Sequence, residues 1–351
     1  MVTSQNFDIH FGGPDLPPQR LRDILAESVA AVPSGGAIDW VTYYFRDRRL
    51  AAELVRARRR GVRVTVTLDG RPRTEDANDA VIAMLNGPEG LGDGLRIISP
   101  AGIPTLDGKR LKPRLHAKLY CFSHPTPVAY IGSFNPSGDQ PEQDPDIIHK
   151  IGDQDRGHNL LVGIHDPALV QHLKTYAGWM FQARHPLLQR FSIFANRPYR
   201  GEDTEIYFWP RMLRHPVMKF LNQIAPGAQI RVAVSHLKGN AIARALLGLA
   251  DRGAGLEIIA GATERRVPAA IEEKFSNAGV AFRRLGQTDG LPMHNKFVIA
   301  QKNDQHWSIF GSFNWNTRSY WLNHEIGAIS TNRKLWETFS ARWEAMVALA
   351  G

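Results

Sequence analysis

The sequence contains an internal duplication, because the main segments of its first half recur in its second half in the same order. The segment GAIDWVTYYF (36–45) corresponds to GAQIRVAVSH (227–236), and each pattern is typical of a buried strand. The segments 50–68 and 241–259 each predict an amphipathic helix, a glycine stop and a strand. Such a repeat constrains the chain to fold as two units of the same topology. Further matching pairs are 93–99 with 278–285, 114–122 with 292–300, 128–135 with 307–314, and 159–180 with 325–346.

Each half is predicted to be an α/β unit. The order is strand, helix, strand, helix, with several strands late in each half, and such alternation implies a mixed sheet flanked by helices. The stretch NRPYRGED between Asn196 and Asp203 interrupts the pattern with proline and glycine. We therefore expect repeats over 1–198 and 199–351, packed pseudo-symmetrically around one cleft.

The halves differ at 136–158, where the first half carries an insertion rich in Pro, Gly, Asp and Gln. A loop of this length in a compact domain is often a lid or a binding loop. Its composition is also that of a disordered surface segment, so both interpretations are open. If this acidic loop folds over the cleft, it would repel long polyanions.

Composition favours an anionic partner without identifying it. The chain of 351 residues has a formal net charge of +9, which favours nucleic acid, anionic lipid or phosphorylated small molecules, or serves solubility alone. Cys121 is the single cysteine, which excludes an internal disulfide and fits a reducing compartment. No apolar run predicts a membrane span or a secretory signal. We expect a cytoplasmic protein, with peripheral membrane contact if the substrate is a lipid.

A His-x-Lys pair occurs once in each half, and we predict it on a strand. Residues two apart on a strand face the same side, so the histidine and the lysine of a pair would project together. A Gly-Ser-Phe-Asn segment follows the next predicted strand in each half. One such pair would be a weak signal, but cores need apolar bulk, and a repeated polar set indicates a site. The residues are His116, Lys118, Ser133 and Asn135 in the first half, and His294, Lys296, Ser312 and Asn314 in the second.

These side chains suit phosphodiester chemistry. Two histidines can act as nucleophile and general acid. Two lysines, with serine and asparagine donors, can hold a phosphoryl group as its charge redistributes. No cluster of Cys, His or carboxylates has the spacing of a zinc or magnesium site. The sequence therefore predicts phosphodiester cleavage with neither a metal nor another cofactor.

The paired motifs resemble those of the phospholipase D superfamily, over essentially the whole chain. The stretch GSFNWNTRSYWLNHE is similar to bacterial cardiolipin synthases and phospholipases D, and its matching positions are Arg318, Ser319, Asn323 and Glu325. The aspartate that this family has five residues after the lysine is Ser123 in the first half and Gln301 in the second, with Asp304 nearby but out of register. Tyrosyl-DNA phosphodiesterases of the same superfamily also lack this aspartate and remain active.

The resemblance implies a two-step reaction through a phosphohistidine, in one cleft that a single chain completes, so that oligomerisation is not required. A carboxylate bonded to a histidine raises its pKa, whereas an amide orients the ring without adding charge. From the approximate alignment of the late strands we predict that Glu325 supports His294 as the general acid. Asn159 would orient His116 as the nucleophile.

Three functions remain open. The Arg-Ser-x3-Asn-x-Glu stretch favours a phosphatidyl hydrolase or transferase, for which the basic helix end at 56–60 would face anionic lipid or, in the simpler interpretation, solvent. The net charge and the run KRLKPR (109–114) favour a nuclease, with aromatic residues stacking on bases. A binder of phosphorylated ligands without catalysis is the third. We favour phospholipid over nucleic acid. The aromatic candidates are Tyr43, Tyr44, Trp315 and Trp321.

Overall fold

The computed structural model describes most of the chain. No helix within the described residues is long and apolar enough to cross a membrane. The described residues are 6–104, 110–138, 146, 150–182, 189–211, 215–239, 241–286 and 291–350.

The first half forms a mixed sheet of seven strands in the order β1-β9-β8-β7-β2-β3-β4. β2, β3 and β4 are parallel, and the remaining pairs are antiparallel. A short two-stranded ribbon, β5-β6, lies outside this sheet. The strands are β1 (Phe7–Gly12), β2 (Ala37–Thr42), β3 (Arg63–Asp69), β4 (Leu95–Ile98), β5 (Ile103–Pro104), β6 (Arg110–Leu111), β7 (Leu119–Phe122), β8 (Val128–Gly132) and β9 (Asn159–Ile164).

The second half forms a sheet of eight strands in the order β10-β11-β17-β16-β15-β12-β13-β14. Apart from the additional edge strand β10, the order and the strand directions repeat those of the first sheet. The strands are β10 (Tyr199–Arg200), β11 (Thr204–Trp209), β12 (Gln229–Val234), β13 (Gly255–Gly261), β14 (Ala281–Leu285), β15 (Lys296–Lys302), β16 (Gln305–Gly311) and β17 (Glu325–Ser330).

Helices cover both sheets, as their apolar spacing predicts. Asp47 caps the start of α2, because its side chain accepts a hydrogen bond from the backbone amide of Leu50. The helix buries one face through Leu50, Leu54 and Ala57. The helices that connect parallel strands are the crossovers that such strands require. The helices are α1 (Arg20–Ala31), α2 (Arg48–Arg59), α3 (Asp79–Asn86), α4 (Pro167–Gln182), α5 (Pro216–Gln223), α6 (Ala241–Asp251), α7 (Ala269–Asn277), α8 (Thr317–Trp321) and α9 (Arg333–Ala350).

A central apolar cluster joins the two halves and includes residues of both sheets, of α4 and of α9. Phe339 of α9 stacks on Phe297 of β15 at a centroid distance of 5.0 Å and meets Phe11 of β1 edge-on at 5.6 Å. Tyr176 of α4 stacks on Phe208 of β11 at 4.0 Å. Each half thus supplies apolar surface that the other buries. The predicted α/β architecture, with two similar repeats, is confirmed.

Phe339→Ala is expected to destabilise the protein by about 3–5 kcal/mol, because it empties a ring site shared by both halves. Urea unfolding followed by circular dichroism measures this loss. Leu349→Ala on the same helix is the control, since Leu349 is 43% exposed. It should change the free energy of unfolding by less than about 0.5 kcal/mol. Equal effects of the two substitutions would contradict a shared core centred on α9.

Residues 139–145 and 147–149 of the predicted loop lie outside the described part of the chain, so its closure over the cleft stays a prediction. The end of the loop does pack: Ile151 and Asp153 are buried, and Asp153 accepts a hydrogen bond from Arg156 Nε at 2.6 Å. The strands of the first sheet end at Ile164 and those of the second begin at Tyr199. The boundary between 198 and 199 itself remains a prediction.

Candidate functional site

Two backbone bridges join the halves at the centre of the molecule. Leu115 pairs with His324 and His158 pairs with Met293, each in parallel. In consequence the amide of His116 donates to the carbonyl of His324 at 2.9 Å, and the amide of His294 donates to the carbonyl of His158 at 2.8 Å. Each predicted histidine therefore lies against the segment that leads into the last strand of the opposite half.

The prediction that both His-x-Lys pairs lie within strands is wrong in part. β7 begins after Lys118, and β15 begins at Lys296. His116 and His294 precede these strands because their amides bond across the molecular centre and not to a neighbouring strand of their own sheet. The prediction that Gly-Ser-x-Asn follows the next strand holds, since Gly132 and Gly311 end β8 and β16.

The ring of His116 is bonded to Glu325. The distance between His116 Nδ1 and Glu325 Oε2 is 2.9 Å. Asn323 Nδ2 donates to the other carboxylate oxygen at 3.3 Å. The prediction that Glu325 supports His294 is therefore wrong. It assumed that each half supplies its own partner, whereas the backbone bridges place the partner of each histidine on the other half.

Asn159 is correspondingly the partner of His294, and not of His116 as predicted. His294 Nδ1 lies 2.8 Å from Asn159 Oδ1. Asn159 Nδ2 donates to the carbonyl of Gln154 at 2.8 Å, which fixes the amide so that its oxygen faces the ring. His294 Nδ1 therefore carries the proton, and Nε2 is left toward the cleft.

The two serines of the motifs hold these partners and do not face the cleft. Ser133 Oγ donates to Asn159 Oδ1 at 3.2 Å, and Ser312 Oγ donates to Glu325 Oε2 at 2.5 Å. Both serines are fully buried. The expectation that serine hydroxyls hold the phosphoryl group directly is therefore wrong, because these hydroxyls are already committed to the side chains that orient the histidines.

The two lysines are buried beside the histidines. Lys118 Nζ donates to the carbonyl of His116 at 2.7 Å, and Lys296 Nζ donates to the carbonyl of His294 at the same distance. The ring of Tyr43 lies 5.5 Å from Lys118 Nζ, which favours the cation. Burial lowers the pKa of Lys118 to about 7 and that of Lys296 well below its usual value, and Glu325 partly opposes both shifts.

The histidines are neutral near pH 7. Burial lowers the pKa of His116 to about 4, although the carboxylate of Glu325 raises it. Burial and the charge of Lys296 lower the pKa of His294 well below its usual value. Burial alone would raise the pKa of Glu325, but His116 and Lys118 reverse this and keep the carboxyl ionised. An ionised Glu325 requires that His116 Nδ1 donates, so Nε2 carries its free lone pair.

Both histidines open onto one cleft of about 650 Å³. Asn135 and Asn314 also line it, and the buried Oδ1 of Asn314 has no hydrogen-bond partner among the described residues. Among the described residues none that lines this cleft is a carboxylate, which makes the cleft strongly electropositive. Its cationic lining consists of Arg73, Arg114, Lys238, Arg265, Arg266 and Arg318.

Four lining residues were not singled out from the sequence, namely His236, Arg73, Arg265 and Arg266, whereas Tyr44 was an aromatic candidate. The strand register places Tyr44 and His236 at equivalent positions, two residues beyond β2 and β12, and both line the cleft. His236 Nδ1 lies 3.0 Å from the Ser235 hydroxyl. The alignment of 36–45 with 227–236 pairs His236 with Phe45, a residue of the apolar core, so it is one residue out of register at this point. Arg73, Arg265 and Arg266 lie in loops that have no motif.

The remaining motif positions divide between the cleft and the surface. Arg318, Ser319 and Asn323 line the cleft. Ser319 Oγ accepts a hydrogen bond from the backbone amide of Asn314 at 3.2 Å. Ser123 and Gln301, which stand where the resembling family has aspartate, lie at the ends of β7 and β15 away from the histidines. Their change therefore leaves the cleft intact.

The basic helix end at 56–60 is partly neutralised. Arg56 pairs with Glu53, Arg58 with Asp93 at 2.8 Å, and Arg59 with Glu89. These ion pairs favour the interpretation of an ordinary solvated helix end. Lys109 of the run 109–114 lies outside the described residues, whereas Arg114 lines the cleft.

Among the aromatic candidates, Tyr43 and Tyr44 line the cleft, Trp315 is buried and Trp321 is 45% exposed. In the part of the chain that the structure describes, His, Cys, Asp and Glu side chains form no group of three suited to a metal ion.

Comparison with known proteins identifies one family. A model of the family described as "Cardiolipin synthase, PLD-like domain" matches residues 34–179 and 220–347, that is, most of both repeats. Comparison with curated protein sequences finds no significant match.

Two solved structures share the fold over almost the whole chain. Phosphatidylserine synthase from Haemophilus influenzae Rd KW20 matches with a TM-score of 0.67 and 12% identity, over 98% of this chain and 86% of that protein. Polyphosphate kinase from Porphyromonas gingivalis matches with a TM-score of 0.61 and 12% identity. That match covers 97% of this chain, which spans half the length of the kinase. Nuc from Salmonella typhimurium, a phospholipase D family member, covers 42% of the chain at a TM-score of 0.36 and 20% identity.

Proposed function

Since the chain belongs to the family of cardiolipin synthase, PLD-like domains, we propose that it cleaves a phosphodiester through a phosphohistidine, without a metal ion. The observation that carries this proposal is the pair of imidazoles fixed from opposite halves of the chain. Each ring is held at Nδ1, and both line one electropositive cleft. The residues that we propose for catalysis and positioning are His116, Lys118, Ser133, Asn135, Asn159, His294, Lys296, Ser312, Asn314 and Glu325.

In the first step His116 Nε2 attacks phosphorus with its lone pair, and a P–N bond forms. The bond from phosphorus to the leaving oxygen breaks, and that oxygen takes a proton from His294 Nε2. Glu325 favours His116 over His294 as the nucleophile, because the phosphorylated ring of His116 carries a positive charge next to the carboxylate. His116 thus remains the proposed nucleophile, although its predicted partner was wrong.

In the second step His294 Nε2 removes a proton from water or an alcohol as that oxygen attacks phosphorus. The P–N bond breaks, and its electron pair returns to His116 Nε2. Water completes hydrolysis, and an alcohol completes a transfer. The ammonium groups of Lys118 and Lys296 and the amide groups of Asn135 and Asn314 would stabilise the charge on the remaining phosphoryl oxygens in both steps.

The incoming phosphodiester also prepares the acid. His294 lies near Lys296, Lys118 and Arg266, whose charges lower its pKa. A bound phosphate anion offsets these cations and therefore raises the pKa of His294 in the complex. Protonation of His294 Nε2 would thus accompany substrate binding.

We propose a phosphatidyl group as the group that is hydrolysed or transferred. The family match supports this choice, as does the complete set of Arg318, Ser319, Asn323 and Glu325 in and behind the cleft. A lipid substrate would bring the chain to a membrane surface. One chain supplies both histidines, so the reaction does not require an oligomer.

The second candidate is a nucleic-acid phosphodiesterase. The arginines and lysine that line the cleft, together with Tyr43 and Tyr44, could bind a phosphate backbone and stack on bases. This candidate differs from the first in the substrate and not in the chemistry.

Turnover of the correct substrate should be unchanged by EDTA. The purified chain is incubated with short-chain phosphatidylglycerol, phosphatidylcholine, single-stranded DNA and plasmid DNA, each in EDTA. Turnover of a lipid alone supports the phosphatidyl proposal, and turnover of DNA alone supports the second candidate. Loss of all activity in EDTA, with recovery on adding a divalent metal, would contradict the metal-free mechanism.

A further inference from the structure

Three arginines from corresponding loops of the two halves line one part of the cleft. Arg73 follows β3, and Arg265 and Arg266 follow β13, which is the equivalent strand of the second sheet. The cations interact with one another: burial, together with the charges of Arg265 and Arg73, lowers the pKa of Arg266 to about 10. Arg73 is far from Arg265 and Arg266 in the sequence, and the three residues come together only because the two halves pack against each other.

The cluster is held in place next to His294. Arg266 Nη1 donates to the carbonyl of Met293 at 3.0 Å, one residue before that histidine. The carbonyl of Arg266 accepts from the Leu237 amide at 3.2 Å. The Arg73 amide donates to the Tyr43 hydroxyl at 2.6 Å, and Arg73 Nη2 donates to the carbonyl of Lys150 at 3.3 Å. These bonds anchor Arg266 and Arg73 to the walls of the cleft.

In the part of the chain that the structure describes, the positive charge of the cluster has no carboxylate partner. Within the described residues no Asp or Glu pairs with Arg73, Arg265 or Arg266, and the buried Nε of Arg266 has no hydrogen-bond partner. Elsewhere in the same half, Arg231 pairs with Glu257 at 3.1 Å and Arg284 with Glu272 at 2.5 Å. Partly buried cations without counter-charges are unfavourable unless a ligand supplies the anion.

We propose that Arg73, Arg265 and Arg266 form a second anion subsite, which binds a phosphate group carried by the leaving group of the substrate. This inference rests on the proposed function, because His294 protonates the leaving oxygen and the cluster lies beside His294. Guanidinium groups suit such a role, since their planar donors match phosphate oxygens in pairs. The substrate class is thus a phosphodiester whose departing portion bears a further phosphate.

Binding of inorganic anions tests the subsite without turnover. Calorimetry compares phosphate, pyrophosphate and tripolyphosphate, because only an anion with several phosphate groups could occupy the histidine site and the arginine subsite together. We expect tripolyphosphate to bind at least about tenfold tighter than phosphate, and this gain to disappear in the Arg265→Ala/Arg266→Ala variant. The matched control is Arg244→Ala/Arg252→Ala, which removes two exposed charges outside the cleft. Absence of the gain, or an equal loss in the control, would overturn the subsite.

Turnover then identifies the source of the phosphate. One pair of substrates is short-chain phosphatidylglycerol with and without a phosphate on its glycerol headgroup. The other is a thymidine dinucleotide with and without a phosphate on the departing nucleoside. The added phosphate should raise kcat/KM about tenfold in one pair, and not in the Arg265→Ala/Arg266→Ala variant. If the parent diesters are turned over and neither responds, the inference is wrong. If no diester is turned over but the calorimetric gain persists, the proposed function fails and the subsite stands.

Discussion

His116→Ala should abolish turnover, lowering kcat/KM by about 10⁴-fold or more, because it removes the proposed nucleophile from a site whose parts act as a unit. The loss of activity should come without unfolding, since the ring of His116 opens onto the cleft. The hydrogen bond from the backbone amide of residue 116 to the carbonyl of His324 is kept in the variant. Binding of inorganic phosphate should survive, because the cleft retains its arginines and Lys238. Retained binding without turnover separates an enzyme from a binder of phosphorylated ligands.

Two further variants complete this test. His306→Ala changes a histidine on β16 that does not line the cleft, and it should leave kcat/KM within about twofold of the parent value. His294→Ala should react once with a diester that has a nitrophenol leaving group, which departs without a proton, and then stall. Mass spectrometry should find the trapped phosphoryl group on His116. Phosphorylation of His294 in the His116→Ala variant instead would reverse the assignment of the two roles.

Glu325→Gln should lower kcat/KM by about 10²-fold, because it removes the carboxylate that stabilises the charged ring of phosphorylated His116. The amide can still accept from His116 Nδ1, so the ring should keep its place. The variant also leaves Lys118 and Lys296 without a negative charge that raises their pKa values. Some loss of stability, of about 3–5 kcal/mol at most, is therefore expected alongside the loss of activity.

The pH profile of the Glu325→Gln variant shows whether activity is lost because a charge is removed or because the site is distorted. The pKa of His116 is about 4, and the nucleophile must be neutral, so the acidic limb of the kcat/KM profile should lie near that value. Glu325 raises this pKa, so Glu325→Gln should move the acidic limb to lower pH. Asn159→Asp is the mirror-image variant. It places a carboxylate on His294, raises the pKa of the acid, and should move the alkaline limb of kcat to higher pH.

Each outcome has a distinct meaning. A shift of the alkaline limb to lower pH in Glu325→Gln would make His116 the acid. An unchanged profile in both variants, with activity lost, would mean that Glu325 and Asn159 only shape the site. The two substitutions are closely matched, since each exchanges an amide and a carboxylate opposite one imidazole.

The fold could be predicted from the sequence because the duplication, the apolar periodicity and the turn residues can be read from short segments of the chain. The correspondence of 36–45 with 227–236 is an example, since both segments became the central strands β2 and β12. The cleft residues His116, His294, Asn135 and Asn314 were accessible because they recur at fixed spacing. Their catalytic roles remain predictions until variants are assayed.

The partners of the histidines were not accessible in the same way. Alignment of the repeats compares each half with the other, but it says nothing about which half a side chain faces. The bridges of Leu115 with His324 and of His158 with Met293 decided that question, and they depend on how the sheets pack. Arg73 and Arg266 were missed for a related reason, because their closeness exists only after the halves have joined.

Because each histidine is bonded to a residue of the opposite half, the proposed site forms only when both halves are present. A growing polypeptide that has completed residues up to His165 holds an imidazole without its carboxylate and an amide without its imidazole. In the proposed mechanism such an intermediate would lack half of the groups that the reaction needs, however well its first sheet has formed. The two partner pairs are complete only once β17, which carries Glu325, has been synthesised.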